Sequence, residues 1–107
     1  MNSIKGKFAL VTGGTQGLGA AIAKNFADSG AEGIVTIGRK EDKGNEVAKK
    51  IQDETGCKVI FVKTDLGEVQ ECRNAVSVAK QEFGRLDVLV NAAGITDRGD
   101  IVNTSEE

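Results

Sequence analysis

Residues 12–19 read Thr12-Gly13-Gly14-Thr15-Gln16-Gly17-Leu18-Gly19, directly behind the apolar run Phe8-Ala9-Leu10-Val11. Gly13, Gly17 and Gly19 fall in a Gly-x-x-x-Gly-x-Gly pattern. Each has a physical use where a strand turns into a helix. Gly13 permits the tight turn, Gly17 lets the backbone approach an anion, and Gly19 allows close packing of helix on strand. The free N–H groups and positive end of that helix then face a pyrophosphate. Glycines serving only the turn are the plainer alternative, but a position between strand and helix is what a dinucleotide site requires.

What the chain lacks narrows the chemistry further. Among 107 residues there is no His, Tyr, Trp or Pro. Without His there is no Ser-His or Cys-His nucleophile pair, no imidazole base and no His-containing zinc site. Cys57 and Cys72 are too few for a thiolate metal site or a disulfide scaffold, and they read as free thiols of a reducing compartment. Fourteen basic against 16 acidic residues give a net charge of −2, which argues against nucleic acid or an anionic membrane surface as partner. No apolar run approaches a membrane span, and the first residues lack the core of a secretory signal. The expectation is a cytoplasmic globular domain.

The elements that must position the glycine loop follow from hydropathy. Phe8–Val11, Ile34–Ile37, Val59–Val62 and Leu86–Val90 are short apolar runs that read as strands. Between them lie helical patterns: Leu18, Ile22 and Phe26 on the first helix; Val47 and Ile51 on a second from about Asp42 to Glu54; and Val69, Cys72, Val76, Ala79 and Phe83 on the third. Ser29-Gly30, Gly56 and Gly84 punctuate their ends. On this pattern Cys72 lies on a buried stripe as a small hydrophobe. Asn103-Thr104-Ser105-Glu106-Glu107 reads as a helix start, an N-cap followed by first-turn acids. Alternating strands and helices, with strands apolar on both faces, predict an α/β fold, a doubly wound parallel sheet of strand order 3-2-1-4. Its fourth strand would be an open edge.

Asn91-Ala92-Ala93-Gly94 follows the fourth strand and Asp65-Leu66 the third. With the glycine loop, these motifs resemble the short-chain dehydrogenase/reductase family over the whole chain, although family members are typically more than twice this long. The resemblance implies that residues 1–107 are the N-terminal part of a single Rossmann-type NAD(P)-binding domain, with the C-terminal catalytic part absent. It implies that Thr12 steadies the loop by bonding toward the segment that begins at Asn91. Gly13, Thr15, Gln16, Gly17, Leu18 and Gly19 would surround the adenosine ribose and pyrophosphate. Asp65 and the backbone of Leu66 would hold the adenine edge, with a turn or helix-cap acid as the plainer reading of Asp65. Asn91 through Gly94 would let the riboses lie close to the fourth strand. The family's Asn-Asn-Ala-Gly stands here with Ala92 second.

An acid at the end of the second strand bonds the ribose 2′-OH and repels a 2′-phosphate. Here that strand ends Ile37-Gly38-Arg39-Lys40, with Gly38 in the acid's place. Arg39 can bond a phosphate and stack on adenine, so NADP(H) is expected, with NAD the alternative. Gln16 departs from the basic residue often found there in NADP-preferring relatives, and Arg39-Lys40 could equally be a solvated pair offset by Glu41-Asp42.

The family moves a hydride between nicotinamide and a carbonyl or alcohol, using a Tyr-x-x-x-Lys pair and a Ser. This sequence has no tyrosine, and neither Ser3, Ser29, Ser77 nor Ser105 lies on a strand that would present the serine. No catalytic residue is assigned, and these residues alone are expected to be inactive. The leading expectation is the cofactor-binding portion of an NADP(H)-preferring oxidoreductase acting on a small carbonyl or alcohol, homotetrameric when full length. A non-catalytic dinucleotide-binding module is the alternative. A methyltransferase binding S-adenosylmethionine on a similar sheet fits Arg39 and Asn91-Ala92-Ala93-Gly94 less well.

Overall fold

The computed structural model describes residues 4–13, 17–65, 67–91 and 104–105. The elements run β1 (Phe8–Thr12), α1 (Gly17–Asp28), β2 (Gly33–Gly38), α2 (Glu41–Thr55), β3 (Lys58–Lys63), α3 (Val69–Phe83), β4 (Val88–Asn91) and β5 (Thr104–Ser105). They form one sheet of order β3-β2-β1-β4-β5. The first four strands are parallel, in the expected 3-2-1-4 order. This is the Rossmann-type α/β arrangement that strands apolar on both faces demand.

Alternation along the strands divides the core in two. Val11, Ile34, Val59 and Val90 point to the face covered by α1 and α2, where Ala23, Ala27, Ala48 and Ile51 meet them. Leu10, Val35 and Ile37 point to the opposite face, against Ala75 and Ala79 of α3. Gly44 lets α2 settle onto β3, because a side chain there would overlap the Phe61 ring.

Three expectations need correction. On α1 the buried line is Gly19, Ala23 and Ala27, one residue round from the expected stripe. Leu18 is 43% exposed, and Ile22 and Phe26 only flank the core. On α3 Ala75 and Ala79 are fully buried, whereas Val69 is 68% exposed and Cys72 half-buried. The reason is common to both helices. Small residues let a helix backbone approach a sheet closely, so the larger side chains are displaced to its flanks. Cys57, not Cys72, is the buried thiol.

The third correction concerns the end of the sequence. Thr104 and Ser105 pair antiparallel with Val90 and Leu89 as β5, instead of beginning a helix. An exposed strand edge offers a row of unpaired N–H and C=O groups, and these two residues satisfy part of it. The fourth strand is therefore not the open edge that was expected.

Candidate functional site

The strand ends of a parallel α/β sheet gather the loops that can bind a ligand, most effectively where the chain reverses its direction of winding. Here the reversal lies between β1 and β4, since β2 and β3 lie to one side of β1 and β4 to the other. In register at that point are Thr12 and Asn91, each the last residue of its strand. The Thr12 hydroxyl donates to Asn91 Oδ1 at 2.9 Å, with the Val90 carbonyl oxygen at 3.4 Å. The expected link between Thr12 and the Asn91 segment is thus present, and it closes the carboxyl ends of the two central strands.

Gly13 turns the chain out of β1 with φ at +71°, a conformation that side chains rarely adopt. Its N–H donates to the Ile37 carbonyl at 3.0 Å, so the turn is anchored to β2. α1 then begins at Gly17 with no acidic residue in its first turn. No acid in that first turn offsets the positive end of this helix, which suits an anion. Gly19 is buried, as close helix packing needs, and Leu18 stands exposed at the same end. Thr15, Gln16, Leu66 and Gly94 lie outside the described residues.

Arg39 follows directly on β2. It is exposed and has no hydrogen bond or ion pair among the described residues. Lys40 is the N-cap of α2 and supplies no side-chain cap. At the end of β3, the Thr64 N–H donates to the Gly38 carbonyl at 2.7 Å, which ties the two strand ends together. Lys63, which no sequence motif marks, is in register with Gly38.

Asp65 is half-buried and engaged in its own turn. Its Oδ1 accepts from the Gly67 N–H at 2.9 Å, while its N–H donates to Glu71 Oε1 at 2.7 Å. The Glu68 N–H donates to the Asp65 carbonyl at 2.9 Å. The turn role set out for Asp65 is therefore present, and Oδ2 is left without a hydrogen bond among the described residues. Glu71 was not anticipated, and the sequence signal for it is only an acid in the first turn of the following helix.

The donor set at this edge suits a dinucleotide diphosphate: an acid-free helix end, a glycine turn and a guanidinium unpaired among the described residues. No group of three or more His, Cys, Asp or Glu is arranged for a metal among the described residues. No helix among them is long and apolar enough to cross a membrane. Ser29 and Ser77 lie at the end of α1 and on the exposed side of α3, away from the strand ends.

The short chain dehydrogenase family model matches residues 7–107. An uncharacterized oxidoreductase of Methylorubrum extorquens is 39% identical over 107 residues, covering 100% of this chain and 43% of its own. The crystal structure of L-sorbose reductase from Gluconobacter frateurii, complexed with NADPH and L-sorbose, is 35% identical with a TM-score of 0.82. That match covers 92% of this chain and 37% of the reductase. A short chain dehydrogenase/reductase from Burkholderia phymatum in complex with NAD is 27% identical with a TM-score of 0.78, over 83% of this chain and 31% of its own. The chain thus spans less than half the length of each of these proteins. The matched family, the strand order and the glycine turn opening α1 agree, and the chain belongs to the short-chain dehydrogenase family.

Proposed function

We propose that these residues form the dinucleotide-binding part of an oxidoreductase that prefers NADP(H). It transfers a hydride between the nicotinamide and a small carbonyl or alcohol substrate. The observation that carries the reading is the edge made by Thr12, Gly13 and Asn91 beside the acid-free start of α1. Gly13, Thr15, Gln16, Gly17, Leu18 and Gly19 surround the pyrophosphate and adenosine ribose. Their backbone N–H groups hold its charge, and the lack of a β-carbon at the glycines lets it come close. Asn91 and Gly94 border the riboses, with Asn91 oriented by the Thr12 hydroxyl. Asp65, through its unengaged Oδ2, and the Leu66 backbone face the adenine edge.

The NADP preference rests on Gly38 and Arg39. An acid at the end of β2 would repel a 2′-phosphate, and Gly38 carries none. The unpaired Arg39 guanidinium can make two charge-assisted bonds to that phosphate. The bound cofactor supplies or accepts the hydride. The proton-transferring tyrosine, lysine and serine belong to a C-terminal part of the domain outside these 107 residues, so this chain alone is inactive. The whole enzyme is a cytoplasmic homo-oligomer, a tetramer, with neither nucleic acid nor membrane as partner.

Titration of the chain with NADPH and NADH, followed by nicotinamide fluorescence, tests the reading. NADPH is expected to bind at least about tenfold tighter, equivalent to about 1.4 kcal/mol. Arg39→Gln should weaken NADPH about 30-fold, the worth of a charge-assisted bond, and leave NADH unchanged. Equal or tighter binding of NADH would overturn the NADP preference, and binding of neither would overturn the dinucleotide site. The alternative reading is a non-catalytic dinucleotide-binding module. Tight cofactor binding by the native gene product, without turnover of any carbonyl or alcohol, would establish it.

A further inference from the structure

We infer that Lys63 is a second cation for the 2′-phosphate, and hence a specificity residue that acts with Arg39. The inference rests on the NADP reading above and deepens it.

The placement comes from the strand register. Lys63 is paired with Gly38, one residue before Arg39. Neighbouring parallel strands lie about 4.8 Å apart, and residues in register present their side chains to the same face. Along β3, Val59 and Phe61 pack into the core beneath α1 and α2, so by alternation Lys63 lies on that face. Gly38 lies on it too, two and four residues beyond Thr36 and Ile34. A group held where an acidic residue at position 38 would reach the ribose 2′-oxygen is therefore also within reach of Lys63. The hydrogen bond from the Thr64 N–H to the Gly38 carbonyl fixes the two strand ends against each other, so this juxtaposition does not depend on a free loop.

The plainer reading is that Lys63 is one of the charges that protect an edge strand from unwanted pairing. β3 is such an edge and carries a lysine at each end. The two lysines are not equivalent. Lys58, at the end away from the site, lies 3.8 Å from Glu82 and 5.9 Å from the centre of the Phe83 ring. Lys63, at the site end, is exposed and has no hydrogen bond or ion pair among the described residues, although Glu41 and Asp42 open the adjacent helix. Arg39, the residue after Gly38, likewise has no hydrogen bond or ion pair among the described residues. Two unneutralised cations at the ends of adjacent strands repel one another, and a phosphate dianion between them removes that repulsion. The roles differ in kind. The planar guanidinium sets geometry, and the ammonium adds a point charge from a flexible stem.

The test uses the intact chain and its Lys63→Gln, Lys63→Arg and Lys58→Gln variants, titrated with NADPH and NADH. Lys63→Gln should weaken NADPH about tenfold, one charged contact, while NADH stays within about twofold. Its NADPH affinity should also fall less steeply with added salt. Lys63→Arg should retain the preference, and Lys58→Gln should change neither cofactor. If the unaltered chain prefers NADPH and Lys63→Gln keeps that preference in full, the role of Lys63 is overturned and the NADP reading stands. Equal losses for both cofactors would overturn it as well, as a general charge effect. A chain with no preference for NADPH would overturn the NADP reading and this inference together.

Discussion

Thr36 sits in the middle of β2 with no exposed surface, and its hydroxyl has no hydrogen-bond partner among the described residues. In register with it are Val11 on one side and Phe61 on the other, both apolar. A buried hydroxyl without a partner forfeits its bonds to water, at a cost of about 1–3 kcal/mol. Valine has nearly the same shape and at least equal preference for a strand, and it removes that cost while keeping the packing. Thr36→Val is therefore expected to stabilise the chain by about 1–2 kcal/mol. For a domain of this size each kcal/mol raises Tm by about 4–8 °C. Thr36→Ser is the control, since it keeps the hydroxyl but removes a buried methyl, at a cost of about 1 kcal/mol. The chain has no Trp or Tyr to report unfolding, so urea and thermal transitions should be followed by far-UV circular dichroism. A Thr36→Val chain that unfolds at the same or a lower urea midpoint would refute the reasoning, for it would mean that the hydroxyl is satisfied.

Further predictions concern the opposite end of the sheet and the thiols. The Asp87 carboxylate accepts from the Phe8 N–H at 2.8 Å and from Arg85 Nε at 3.0 Å. First the Phe8 bond and then Arg85 hold its pKa below the ordinary 3.8. A depressed pKa contributes stability that is complete above the unfolded value and is lost as pH falls through the folded one. Asp87→Asn should therefore lower stability at pH 7 by about 1 kcal/mol and flatten its decline below pH 4, measured by urea unfolding across pH. Burial first, and then the nearby charge of Glu32, push the Cys57 thiol up, whereas Cys72 is half-buried on α3. Iodoacetamide at pH 8 should thus label Cys72 in the folded chain and Cys57 only after unfolding, as read by peptide mass.

The sheet was legible because its strands are apolar along their whole length. Ile34-Val35-Thr36-Ile37 leaves few alternatives to a buried strand, and four such runs separated by helices specify a parallel α/β sheet, whose 3-2-1-4 order follows once the third crossover returns on the other face. The helix faces were less legible. Large side chains dominate a periodicity count, yet Ala23, Ala27, Ala75 and Ala79 make the closest approach to the sheet. Thr104 and Ser105 carry strong helix-start chemistry, and only the neighbouring edge of β4 explains their pairing as a strand. At the site, the glycine turn and the Thr12–Asn91 pairing follow from motifs. The Asp65–Gly67 turn was open to either reading, because the same short acid suits a turn and a ligand. Lys63 belongs to no motif, and only the register of β3 on β2 brings it beside Gly38, the residue before Arg39.

The central claim is that the carboxyl edge of this sheet binds a dinucleotide. Titrating the ¹⁵N-labelled chain with NADP⁺ and following amide chemical shifts tests it most directly. The account predicts saturable shifts at Gly13, Gly17, Gly19, Arg39, Asp65 and Asn91, with Gly30, Gly56 and Asp87 at the other end of the strands unmoved. Saturable shifts centred on the Gly30 and Asp87 end, or none at either edge, would contradict it.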